Sequence, residues 1–82
     1  MKIIVYSKTG CPWATRMFDF LKQRGIDFEN RDMIANPEFA GECKQKAGEC
    51  KSPTVEIDGK IIRDADVKDV QKYLDSVGMK AA

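Results

Sequence analysis

Histidine is absent from the 82-residue sequence, and that gap removes whole classes of chemistry. A Cys–His or Ser–His nucleophile pair is excluded, as is a zinc site of mixed Cys/His type. Any nucleophile must be activated by something other than imidazole. Long apolar runs are also missing. The longest uninterrupted stretch, Ile3 to Tyr6, falls far short of the ~18 residues a membrane helix needs, and no signal peptide is visible. Charge of one sign is lacking too: 14 basic and 13 acidic side chains are interspersed, so the formal net charge of +1 sets up no strong field toward nucleic acid or an anionic membrane. Cysteine is scarce. Three thiols are too few for a disulfide scaffold and lack the paired spacing of a four-ligand metal site. The odd count leaves at least one thiol over, and without an export signal this points to a reducing cytoplasm, where a thiol at a special position is more often chemical than structural. A chain of this length buries only roughly 60% of the surface its unfolded form exposes, so the expectation is one domain over residues 1–82 with a small core.

What is present reads as alternating strands and helices. Lys2 to Tyr6 is β-branched and aromatic and ends at Ser7-Lys8-Thr9-Gly10, which predicts a short buried strand and a turn. Cys11 then stands at a helix cap, Pro12 suits the first turn, and Ala14, Met17, Phe18 and Leu21 recur at helical spacing until Gly25. Ile26-Asp27-Phe28-Glu29 alternates apolar and polar, predicting a second strand that leaves through Arg31-Asp32 into a loop; two strands flanking a helix give a parallel βαβ unit. Asn36-Pro37-Glu38 supplies a cap, a first-turn proline and a favourable N-terminal charge for a helix with Phe39, Cys43 and Ala47 on one face, stopped by Gly48. Thr54–Ile57 and Lys60–Ile62, joined by Asp58-Gly59, predict an antiparallel hairpin. Asp66 caps a last helix with Asp69 near its third position and an apolar stripe of Val67, Val70, Leu74 and Val77 before Gly78; Met79–Ala82 is expected to be a frayed tail. The order is β-α-β-α-β-β-α.

The chemistry is expected at Cys11. A thiol becomes a good nucleophile as thiolate, and a helix N-terminus favours the anion through its unpaired N–H groups and aligned peptide dipoles. Lys8, across the turn, adds a positive charge. Cys43, on the apolar face of its helix, is expected to be core packing. Cys50, three residues before Pro53, is either an unpaired loop thiol or a resolving partner for Cys11; a Cys43–Cys50 disulfide stays open, since the spacing crosses a helix end.

Tyr6-Ser7-Lys8-Thr9-Gly10-Cys11-Pro12-Trp13 after a first strand, then Gly48 and Pro53 opening a hairpin with Ile57-Asp58-Gly59-Lys60, resembles the glutaredoxin family of the thioredoxin fold, over Lys2 to about Val77. The resemblance implies an α/β architecture with a four-stranded mixed sheet and three helices. It further implies that Cys11 attacks a glutathione mixed disulfide and that Pro53 follows a cis bond. Lys8 would meet the glycine carboxylate of glutathione, Ser52 would pair its backbone with the glutathione cysteine, Trp13 would wall the groove, and Ala65 and Asp66 would receive the γ-glutamyl end. Arg63-Asp64 and Lys51-Ser52 depart from the family's Gly-Gly and Thr-Val. Ala14 replaces the second cysteine of the dithiol members, so the motif Cys-Pro-Trp-Ala is monothiol.

The expected activity is therefore glutathione-dependent thiol–disulfide exchange on glutathione mixed disulfides, with glutathione as co-substrate and no metal. The expected partners are glutathione and glutathionylated substrates, with no nucleic acid or membrane, and the chain is expected to be a monomer. Two alternatives stand beside this. One is a carrier of a [2Fe–2S] cluster held by Cys11 and glutathione in a dimer, against which Pro12 argues by stiffening the site. The other is a glutaredoxin-like redoxin reduced by a thioredoxin reductase.

Overall fold

Strand β1 (Ile3–Ser7) is buried along its whole length, which requires cover on both faces of its sheet. In the computed structural model, which describes residues 2–78, alternation along the strand sends Ile3 and Val5 to one face and Ile4 and Tyr6 to the other. Helix α1 (Pro12–Gln23) and helix α3 (Val67–Ser76) cover the first face with Met17, Leu21, Val70 and Leu74. Helix α2 (Pro37–Ala47) covers the second with Cys43 and Ala47. Fully burying each large apolar side chain contributes ~1.5–3 kcal/mol, so this three-layer arrangement is where the stability resides.

The remaining strands are β2 (Glu29–Asp32), β3 (Thr54–Ile57) and β4 (Lys60–Ile62), in sheet order β2-β1-β3-β4. β2 runs parallel to β1, while β3 and β4 are antiparallel to their neighbours, so the sheet is mixed and the fold is the thioredoxin fold. The Asp58-Gly59 hairpin and the α3 capping box between Asp66 and Asp69 form as the sequence predicts.

Two expectations shift. The second strand is Glu29–Asp32 rather than Ile26–Glu29. Ile26 is instead drawn into the core below α1, its amide bonded to the Leu21 carbonyl at 2.9 Å, and Phe28 stacks on Phe18 with ring centroids 5.5 Å apart. The ladder therefore begins only after these anchors, and an edge strand has no need of apolar alternation. Val77 leaves the α3 stripe: the helix ends at Ser76, and Val77 is 47% exposed. The expected frayed tail, Met79–Ala82, lies outside the described residues.

A polar layer between α2 and the sheet has no counterpart in the sequence reading. Arg31 of β2 pairs with Glu29 and with Glu42 of α2, and Lys46 of α2 reaches Glu56 of β3 at 2.9 Å. Both cations converge on the buried Tyr6, whose hydroxyl accepts from Lys46 Nζ at 3.0 Å and Arg31 Nη1 at 3.4 Å. These bonds to Tyr6 and Glu56 push the Lys46 ammonium above its usual range. No buried side-chain polar atom among the described residues lacks a partner.

Candidate functional site

The two central strands deliver the site. The chain leaving β1 turns through Lys8–Cys11, with the Cys11 amide donating to the Lys8 carbonyl at 3.0 Å. Gly10 takes φ +82°, a left-handed conformation that a side chain would strain. Cys11 follows as the N-cap of α1 in extended conformation, with Pro12 opening the helix. The chain entering β3 approaches from the other side through the cis Ser52–Pro53 bond that the resemblance implies.

These segments interlock. The Cys11 Sγ donates to the Ser52 carbonyl at 3.8 Å, and the Lys8 amide donates to the Ser52 hydroxyl oxygen at 3.1 Å, leaving that hydroxyl its own hydrogen to aim at the sulfur. Cys11 is half-buried. Burial alone pushes its thiol up, but the Ser52 hydroxyl, the backbone amides of Ala14 and Trp13, and the Lys8 charge together bring it below its ordinary value. Ala14 therefore assists the sulfur through its amide, while its methyl is packed in the core at 2% exposure.

Because the folded pKa is depressed, the thiolate persists to lower pH than in a free cysteine, and reactivity falls as pH drops through the folded value. Replacing Ser52 with alanine removes one donor to the thiolate, so the Cys11 titration should move upward. Iodoacetamide alkylation of the Cys50→Ser background, followed against pH, reads this directly. Ser52→Ala should slow the reaction in the acidic range and converge with its parent at high pH; superimposable profiles would mean that the helix amides and Lys8 hold the anion unaided.

An open cavity of about 340 Å³ lies beside Pro53, lined by Trp13, Pro53, Asp64, Ala65 and Asp66. Four of the six residues expected to meet glutathione thus share one wall, while Lys8 and Ser52 are bonded together at the sulfur. Trp13 is 55% exposed, with the Arg16 guanidinium 4.7 Å over its ring. Ala65 is pinned by its amide bond to the Pro53 carbonyl at 2.7 Å.

Asp64 joins this wall without having been singled out as a site residue. It adopts φ +47°, the left-handed region where glycine is at ease, at a position where Gly-Gly would be expected from the resemblance. The departure at Arg63-Asp64 was the available signal. It places two carboxylates, Asp64 and Asp66, among the residues that line the cavity.

Cys50 is turned away from the site. Its Sγ donates to the Ala40 carbonyl of α2 at 2.9 Å, and it packs with Cys43 in the core between α2 and the sheet. All three cysteines are free thiols.

A half-buried thiol at a helix N-terminus, facing the backbone before a cis-proline on this fold, defines a thioredoxin-fold redox protein. The glutaredoxin family model matches residues 3–62, and the chain belongs to that family. A glutaredoxin-like 8.6 kDa protein from the rubredoxin operon of Clostridium pasteurianum is 26% identical over 73 residues, covering 89% of this chain and 97% of that one. Among solved structures, a variant of the thioredoxin-like protein BC3987 superposes with a TM-score of 0.81 at 25% identity, covering 88% of this chain and 97% of that chain. The glutaredoxin-like NrdH-redoxin of Escherichia coli shares the fold with a TM-score of 0.73 at 22% identity, over 88% and 93% of the two chains.

Proposed function

We propose that the protein reduces glutathione mixed disulfides by a monothiol route through Cys11, with glutathione as electron donor. The observation that carries this is the position of the Cys11 sulfur, stabilised as thiolate between the α1 N-terminus and Ser52, with no second thiol in the first helical turn because Ala14 stands there.

The Cys11 thiolate attacks the glutathione sulfur of the mixed disulfide; that S–S bond breaks and the substrate leaves as a thiol after taking up a proton. A second glutathione, as thiolate, attacks the glutathione sulfur now bonded to Cys11. Oxidised glutathione leaves and the Cys11 thiolate returns, so one protein thiol suffices: the mixed disulfide and one free glutathione become the substrate thiol and oxidised glutathione. Trp13, Pro53, Ala65 and Asp66 line the groove for the tripeptide, and Lys8 supplies a cation for its carboxylate. Reduction of a glutathionylated peptide by glutathione, coupled to glutathione reductase, tests the activity. Cys50→Ser should retain most of the rate, because Cys50 is bonded to α2; a collapse would assign it the resolving role and overturn the monothiol scheme.

One observation favours a second reading, a redoxin with a different electron donor. Asp64 and Asp66 both face the cavity, the Asp66 carboxylate already accepts the Val67 amide at 2.7 Å, and the Asp66 amide is bonded to Asp69 at 3.0 Å. The γ-glutamyl carboxylate of glutathione finds fewer unused donors there and more negative charge. Steady-state rates with glutathione against thioredoxin reductase and NADPH decide between the donors.

A further inference from the structure

The two thiols that the proposed reaction leaves unused lie together. Cys43 faces the sheet from the second turn of α2 and is fully buried. Beyond it the helix ends at Gly48, whose φ of +79° and amide bond to the Lys44 carbonyl at 2.8 Å reverse the chain. The reversal returns Cys50 along the inner side of α2. Its Sγ lies 2.9 Å from the Ala40 carbonyl, in the helical turn just before Cys43, while the Cys43 Sγ lies 4.0 Å from the carbonyl of Glu49, the neighbour of Cys50. Each sulfur thus rests on backbone adjoining the other cysteine, and both belong to one cluster with Tyr6, Ile4 and Ala47.

We propose that Cys43 and Cys50 are a second redox centre, a dithiol that closes to an intramolecular disulfide when a low-molecular-weight disulfide such as oxidised glutathione is present. The two thiols are unequal, and their inequality sets the order of events. Cys50 is half-buried and reachable by a tripeptide disulfide, whereas Cys43 has no exposure and can meet only a sulfur already next to it. In the first step the Cys50 thiolate attacks one sulfur of oxidised glutathione; the S–S bond breaks, and one glutathione departs with the proton that Cys50 gave up. In the second, the Cys43 thiolate attacks the Cys50 sulfur, the Cys50–glutathione bond breaks, and the second glutathione departs with the Cys43 proton. Two protein thiols are oxidised by two electrons and one oxidised glutathione is reduced to two thiols. Burial, together with the neighbouring Cys50, pushes the Cys43 thiol up to about 11, which suits it to the second, slower step.

The pair also lies close to the proposed nucleophile. Cys50 precedes Ser52 by two residues, and Ser52 holds the Cys11 sulfur, so the disulfide would fasten the approach to the cis-proline onto α2.

The test uses the Cys11→Ser protein, which removes the competing thiol and keeps the pair. It is incubated with oxidised glutathione, alkylated, and weighed intact and after trypsin. The expected product is monomeric, lighter by two hydrogens, free of glutathione, and reversed by dithiothreitol. Its tryptic map joins the Cys43 peptide Asp32–Lys44 to the Cys50 peptide Ala47–Lys51. Adding Cys50→Ala should abolish both signatures. A persistent glutathione adduct on Cys50 with Cys43 still alkylatable after unfolding overturns the proposal. So does a disulfide found only between molecules, or two unmodified thiols under conditions that fully glutathionylate Cys11 in the unaltered protein. None of these outcomes depends on whether glutathione is the donor for Cys11.

Discussion

Cys11→Ser is expected to return reduction of a glutathione mixed disulfide to the uncatalysed rate while leaving the fold intact or slightly more stable. A serine hydroxyl cannot enter thiol–disulfide exchange, and no other sulfur stands at the α1 N-terminus: Ala14 carries a methyl there, and the Cys43–Cys50 pair lies between α2 and the sheet, with a buried thiol pushed up to about 11 that turns over too slowly to replace Cys11. The stability expectation comes from the same residue seen as a helix cap. As a thiol, Cys11 caps α1 without a side-chain hydrogen bond, the Ala14 and Trp13 amides favouring only its anion, whereas serine is among the preferred N-cap residues, so the exchange should gain up to about 1 kcal/mol under conditions that keep Cys11 protonated. Activity and thermal midpoint therefore move in opposite senses, which separates loss of the nucleophile from loss of the fold. A variant retaining more than about a tenth of the rate at matched folding would remove Cys11 from the reaction.

Leu21→Ala is expected to be the most damaging of the simple core truncations. Leu21 is fully buried between α1, α3 and the sheet, among Met17, Val70, Leu74 and Val55, and its carbonyl accepts the Ile26 amide that anchors the chain before β2. Truncating a buried leucine costs about 2–5 kcal/mol through lost transfer energy and the cavity left behind. At ~0.05–0.15 kcal/mol per residue the whole fold holds only about 4–12 kcal/mol, so this one change consumes a large fraction of it. Urea unfolding should show the midpoint falling sharply with an unchanged slope. Val77→Ala, at an exposed helix end, is the matched control and should stay within about 0.5 kcal/mol. Comparable losses at both positions would mean that the core is not where the three layers place it.

Much of the fold was legible because its boundaries are written in local chemistry. The Asp66/Asp69 box, Asn36-Pro37-Glu38, Asp58-Gly59 and Cys11-Pro12 each fix an element end by a bond or a dihedral that neighbouring residues supply themselves. β2 was displaced because Glu29-Asn30-Arg31-Asp32 has no apolar period; its ladder is earned by pairing with β1, which no local pattern records. The Arg31–Glu42–Lys46–Glu56 layer was invisible for the same reason, since its members come from three elements that only tertiary packing unites. At the site, the motif pointed to Cys11 and the resemblance to the residues around it. Asp64 escaped because a positive φ at an aspartate is a property of the folded loop, not of the residue type.

The two halves of the site grow from adjacent central strands, whose ladder runs from Ile3–Ile57 to Tyr6–Thr54. Lys8–Cys11 extends one strand and Ser52–Pro53 leads into the other, so parting the sulfur from its partner requires peeling the rungs that solvent reaches last. Amides of this ladder should exchange with deuterium only through global opening, and on heating the lowered pKa of Cys11 should return to that of an ordinary cysteine together with the fold, not ahead of it. A redox site mounted in this way has no loosened, half-active form to pass through: its working temperature range is that of the entire molecule.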